Sequence, residues 1–132
     1  MPERDAARRW IDAYADAWRR KDDRAVAELF NENAVYREHP LRNPHIGRET
    51  ISSYWRWAVG TQEHLDLRFG EPIVDGDRVA VEWWATMVDN GIERTLPGIL
   101  FLRFDPAGRC EELREAWFWL DGRHEPPPGW GT

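Results

Sequence analysis

A chain of 132 residues is the size of one domain and too short for two independent cores, so a single core without an internal boundary is expected. With 18 Lys and Arg against 24 Asp and Glu, the formal charge of −6 repels phosphate backbones and anionic lipid surfaces, which argues against nucleic acid and membrane as partners. A lone cysteine, Cys110, rules out an intrachain disulfide, and neither an apolar signal core nor a bilayer-length apolar run is present, so the cytoplasm is the expected compartment.

In chain order, Trp10, Ala13, Tyr14, Ala17 and Trp18 fall at i, i+3, i+4, i+7 and i+8 and predict a helix from Arg4 to Arg20 with one apolar stripe. Asp22 is placed to cap a second helix whose inner face is Val26, Leu29 and Phe30, ending near Asn31 to Asn33. A short extended piece, Val35 to Pro40, follows. Pro44 and Gly47 then punctuate a loop before a third helix, about Arg48 to Val59, with Ile51, Tyr54, Trp55 and Ala58 inward.

The remainder reads as strands. Leu65, Leu67 and Phe69 alternate with polar residues, as on a half-buried strand. After turn residues at Asp75 to Asp77, Arg78 to Val88 is joined to Ile92 through Phe104 by the hairpin signal Asp89-Asn90-Gly91. Asp105-Pro106-Ala107-Gly108 turns the chain into a last strand, Arg109 to Leu120. Residues 1–121 are taken as the domain, and the Pro- and Gly-rich segment 122–132 as a loose tail. Helices followed by a meander of long strands predict an α+β fold, three N-terminal helices packed on a strongly curved antiparallel sheet. If that sheet curls around the first helix, the open end of the cone is a cavity. Nine tryptophans in so short a chain are expected mostly in the core, with some lining such a cavity or an interface.

Three motifs carry a family resemblance. They are Ala25-Val26-Ala27-Glu28-Leu29-Phe30 followed by Ala34-Val35-Tyr36, then Gly47-Arg48-Glu49-Thr50-Ile51-Ser52-Ser53-Tyr54, and then Phe104-Asp105-Pro106-Ala107-Gly108-Arg109. In this order, over nearly the whole chain, they resemble the SnoaL-like domains of the nuclear-transport-factor-two-like superfamily, which has a cystatin-like fold and includes polyketide cyclases, ketosteroid isomerases and limonene epoxide hydrolases. The resemblance implies the cone-shaped fold and, as in many relatives, a homodimer; it implies no cofactor. On this scaffold the fold specifies function poorly.

Carried over residue by residue, the resemblance places Tyr14 where the steroid isomerase has its oxyanion tyrosine and Glu38 where it has its general base. Leu100 stands in place of the second oxyanion acid, which argues against steroid isomerisation. Tyr36 and Glu38 look like the residues that hold water in the epoxide hydrolases, and Glu115 stands near one catalytic aspartate. Trp83 and Ala85 replace the Arg and Asp of the preceding strand, so that catalytic set is broken too.

Family phase and strand alternation together put Trp83, Ala85 and Met87 toward the cavity, joined by Gly98, Leu100 and Leu102 and by Leu113, Glu115, Trp117 and Trp119, opposite Tyr14 and Trp18. An acid among aromatic rings has its pKa raised by burial, and a second carboxyl raises it further. The candidate catalytic residues are therefore Glu38, Glu115, Tyr14, Tyr36 and His39; Trp18, Tyr54, Trp55, Trp83, Met87, Leu100, Leu102 and Trp117 are the candidate lining for a small apolar ligand. The plain alternatives are a Glu115 that only holds a tyrosine or arginine, a Glu38 turned outward, and tyrosines that are simply core. His39 and His45 flank a loop at the expected mouth without metal-ligand spacing, and no metal is expected. Cys110, beside Glu111 and Glu112, is not a candidate nucleophile. The opposite sheet face, with Glu82, Trp84, Phe101, Arg103, Arg114 and Phe118, is the expected dimer surface. The functional expectation is an acid–base enzyme of isomerase, cyclase, dehydratase or hydrolase type, and its competitors are a non-catalytic hydrophobe-binding module and a dimeric interaction protein.

Overall fold

The computed structural model describes residues 2–132. In chain order these form α1 (Pro2–Arg19), α2 (Asp23–Glu28), β1 (Phe30–Arg37), β2 (His45–Ile46), α3 (Arg48–Val59), β3 (Gln62–Phe69), β4 (Ile73–Asp75), β5 (Arg78–Asp89), β6 (Ile92–Phe104), β7 (Cys110–Trp117) and β8 (Leu120–Asp121). The fold is α+β, as expected, with the helices on the concave side of a curled, unclosed sheet of order β2-β1-β7-β6-β5-β3. Every strand pairing is antiparallel except β1 with β7, which run parallel.

Helix α1 has acids in its first turn, Glu3 and Asp5, and Arg19 in its last, as the helix dipole favours. Its buried face is Ala7, Trp10, Ile11, Tyr14, Ala15, Ala17 and Trp18. Ala13, expected in that stripe, is exposed, because the stripe is centred on Ile11, Tyr14 and Trp18. The Asp22 side chain caps α2 by accepting from the Ala25 amide at 3.0 Å. This helix stops at Glu28, earlier than its apolar pattern suggests. The Leu29 carbonyl already accepts from Cys110 at 3.0 Å, so sheet pairing claims Phe30 as the first residue of β1. Helix α3 lies where the sequence puts it, entered through Gly47 at φ 87°, a backbone conformation few other residues adopt.

Toward the narrow end the interior is filled, and the hollow of about 490 Å³ there lies at the surface, between the first turns of α1 and the β4–β5 and β6–β7 turns. Trp10 stacks on Tyr14 at 5.1 Å and meets Phe30 and Phe104 edge-on, each at 5.6 Å, with Leu100, Leu102 and Leu113 filling the sheet side. Farther along, Gly98 pairs with Trp83 across β5 and β6, and a Cβ there would stand 2.1 Å from the indole Cε2. Only glycine lets the ring lie over its neighbouring strand.

Two strand expectations need correction. The last long strand ends at Trp117, not Leu120; the chain turns away over Phe118 and Trp119 and pairs again as β8 with Arg94 and Thr95 of β6. The tail is not loose but lies across the outer face of β3, β5 and β6. Thr95 donates to the Gly122 carbonyl and accepts from the His124 amide, Trp84 donates to the His124 carbonyl, and Gly131 donates to Glu82. Trp130 meets Trp84 edge-on at 6.1 Å. The part of the expected bare face around Glu82 and Trp84 is therefore covered by the chain itself. Among the described residues, no helix is long and apolar enough to cross a membrane.

Candidate active site

At the wide end, α1, α3 and the inner sheet face enclose a cavity of about 410 Å³, within the range of small-molecule sites. Tyr14, Trp18, Tyr36, Tyr54, Trp55, Trp83, Met87, Glu115 and Trp117 line it, all of them expected there from sequence. Leu100 and Leu102 do not; they are wholly buried in the solid core below it.

The polar centre is a chain of three side chains. Tyr36 donates to Glu115 Oε1 at 3.2 Å, and Tyr14 and Tyr36 are hydrogen-bonded at 3.1 Å. Since the Tyr36 proton is committed to the carboxyl, Tyr14 must be the donor in the second bond. Burial pushes Glu115 up to about 8; the bond from Tyr36 opposes the shift and the charge of Glu38 adds to it. Burial, and next the charge of Glu115, also raises the Tyr14 and Tyr36 hydroxyls well above their ordinary range, so both keep their protons. Tyr54 is raised chiefly by burial as well. Near neutral pH the cavity wall thus presents a protonated carboxyl whose Oε1 is held by Tyr36.

Glu38 is placed differently. Its carboxyl is buried, only 4% of the residue being exposed, but it lies outside the cavity lining. Arg42 reaches both of its oxygens at 3.4 Å, and its main-chain carbonyl accepts from the Trp117 indole at 2.6 Å. It acts on Glu115 through charge, from behind the wall. His39 is also outside the cavity, its Nδ1 accepting from the Leu41 amide and its ring edge-on to Trp117 at 5.8 Å. His45 stacks on Tyr54 at 4.5 Å, with its pKa lowered by burial against the opposing pull of Glu38, so it is neutral near pH 7. Cys110 is buried, its thiol raised by burial and bonded to the Glu112 carbonyl. No group of three or more acids, histidines and cysteines placed to hold a metal occurs among the described residues.

A family model described as the SnoaL-like domain matches residues 11–113. The chain belongs to the SnoaL-like family. No curated protein matches it. Solved structures of similar fold include a hypothetical protein from Catenulispora acidiphila DSM 44928 with a ketosteroid isomerase-like fold, in complex with trimethylamine. It is 21% identical at TM-score 0.73, over 80% of this chain and 82% of that one. SalBIII, an epoxide hydrolase/cyclase-like enzyme in pyran ring formation in the polyether salinomycin, is 21% identical at TM-score 0.70, over 85% and 92% of the two chains. A protein described as a SnoaL-like polyketide cyclase, from Shewanella denitrificans OS-217, is 17% identical at TM-score 0.73, over 84% and 89%. At these identities the likeness establishes the fold.

Trp119 lines the cavity as its parity predicts, whereas several lining residues of this SnoaL-like domain escape the sequence reading, chiefly Arg42, Gln62, Asp89, Arg94 and Leu96. Leu96 and Arg94 were within reach, since the alternation that sets Leu102, Leu100 and Gly98 inward continues through them along β6. Arg42 sits in a loop, where no period marks it. The Trp18 indole donates to Gln62 at 2.9 Å, whereas the indole nitrogens of Trp55 and Trp83 are enclosed without a partner, so packing alone holds those two rings.

Proposed function

We propose that this SnoaL-like domain is an acid–base enzyme of isomerase, cyclase, dehydratase or hydrolase type, acting on an apolar organic molecule in the cone cavity, with Glu115 as the proton-exchanging group. The observation that carries the reading is Glu115 itself, an acid on an aromatic cavity wall with its pKa raised to about 8. Protonated near pH 7, it acts as general acid through Oε2, while Tyr36, itself bonded to Tyr14, holds Oε1 and steadies the carboxylate left after proton transfer. Glu38 keeps the proton on Glu115 by charge, and His39 and Glu38 together fix Trp117. Side chains suffice for this chemistry, and no cofactor is invoked.

The test is turnover of a panel of cyclic epoxides and unsaturated ketones. Glu115→Gln is expected to lower kcat/KM by at least about 100-fold, the scale of one positioned acid. Wild-type kcat/KM should be level below pH 7 and fall through about pH 8 as the acid loses its proton. Substrate conversion that survives Glu115→Gln unchanged would end the reading. A substrate bound and recovered unaltered would instead support a binding module.

We further propose pairing of two copies through the uncovered part of the outer face, where Ile99 and Phe118 are 53% and 60% exposed. The Arg114 guanidinium, 4.4 Å over the Phe101 ring, adjoins them. Light scattering at micromolar concentration should return twice the chain mass, and Phe118→Asp half of that; a monomeric wild type refutes it. A buried, inert thiol and the charge of −6 suit the cytoplasm as compartment.

A further inference from the structure

We infer that the molecule taken by the cavity is an organic acid, with an apolar body and a carboxylate at the end remote from Glu115, and that Arg94 fixes that carboxylate. The inference rests on the cavity being a ligand site and adds the ligand's charge.

Arg94 follows Leu100, Gly98 and Leu96 on the inward-facing parity of β6 and lines the cavity toward its mouth. Its side chain is only 19% exposed, and its guanidinium lies 4.1 Å above the Trp119 ring. Yet Nε is enclosed without a hydrogen-bond partner among the described residues. The nearest carboxylate, Asp121, stands 3.8 Å from Nε and is 80% exposed, too loose and too wet to satisfy it.

Several other arginines of the fold are anchored, and Arg103, whose Nε is likewise enclosed without a partner, lies on the outward-facing parity of β6, away from the cavity. Arg19 and Arg48 donate to the carbonyls of Leu67 and Phe30 at 2.8 Å each, and Arg123 donates to Thr86 and Asp66. Arg42, the other cation of the cavity lining, is engaged with Glu38. Arg94 therefore brings to the cavity wall a guanidinium whose Nε is unpaired, and a bidentate carboxylate is the group whose shape and charge match it.

Position along the strand sets the ligand's polarity. Leu100 pairs with Glu115, and Arg94 lies six residues nearer the mouth, roughly 20 Å along β6 at a strand's rise per residue. The long Arg94 side chain shortens the gap, but the acid and the cation still address opposite ends of one molecule. A cationic ligand fits less well beside Trp119, because the Arg94 guanidinium already lies over that ring and would repel it.

The competing account makes Arg94 a strut that merely holds Trp119 over the mouth. Two fluorescent probes separate these. One is 1-anilinonaphthalene-8-sulfonate, whose sulfonate stands in for the carboxylate; the other is N-phenyl-1-naphthylamine, the same rings without the charge. Wild type should bind the sulfonate at least tenfold more tightly. Arg94→Met should remove that preference while keeping the neutral probe's affinity within about twofold, and Arg94→Lys should restore most of it. Leu96→Trp, which fills the cavity, should abolish binding of both. Equal weakening of both probes by Arg94→Met indicates the strut and overturns the inference, as does a preference that survives Arg94→Met. Charge-blind binding sinks the anion site alone, whereas binding that persists in Leu96→Trp, or no binding of either probe, sinks the ligand cavity as well.

Discussion

The two ends of the cone are made from the same materials and come out opposite. Both are built on the inward face of α1 and on alternating positions of β5, β6 and β7, and both are rich in aromatic rings. At the narrow end Trp10, Phe30 and Phe104 meet Leu100, Leu102 and Leu113 and leave no room. At the wide end the position opposite Trp83 is a glycine, Trp18 and Trp55 pack edge-on at 5.3 Å, and a hollow of about 410 Å³ remains. Ring content therefore does not decide between core and cavity; what decides is whether small aliphatic side chains fill the gaps between rings.

Truncation should cut that comparison most sharply at the narrow end. Leu102→Ala leaves a void in a filled region and is expected to cost 2–5 kcal/mol by chemical denaturation, the usual range for such a change (about 2–5). Next in size is Glu115→Gln, read as stability against pH. Burial makes the folded chain hold a proton that the unfolded chain releases near 4.5 and the folded one only near 8. Wild type is thus penalised progressively as pH rises through that window, and nothing is lost below it. The amide carries no such charge, so Glu115→Gln should match wild type near pH 4 and exceed it by on the order of a few kcal/mol at pH 9. Equal curves at pH 9 would place the acid in water. Smallest is Leu96→Ala at the wide end, where a side chain already borders empty space and the loss should be about 1 kcal/mol or less. A cost like that of Leu102→Ala would mean the hollow is filled.

The parity of the strands made most of this legible in advance. Trp83, Met87, Glu115 and Trp117 lie on the cavity wall because alternation and the helical stripe of Tyr14 and Trp18 fix phase over long, regular elements. Glu38 could not be placed that way. It lies just beyond β1, where the period stops, and whether its carboxyl faces the hollow or Arg42 depends on a loop conformation. The break after Trp117 was invisible for a related reason, since Phe118, Trp119 and Leu120 are all good strand formers and no glycine or proline interrupts them. Composition misled outright at the C-terminus. Pro and Gly suggest a free tail, but the backbone of residues 122–131 finds partners in Trp84, Thr95 and Glu82, side chains far away in sequence.

Gly98 turns the size of the hollow into a single-site variable. The Trp83 indole is kept flat by a missing methyl group and not by any bond to its nitrogen, so any side chain at 98 must push the ring somewhere, and the free direction is inward. Cavity dimensions can therefore be retuned from a position outside the polar centre, leaving the carboxyl and its tyrosines untouched. For an engineer seeking altered selectivity, residue 98 is the dial to turn first.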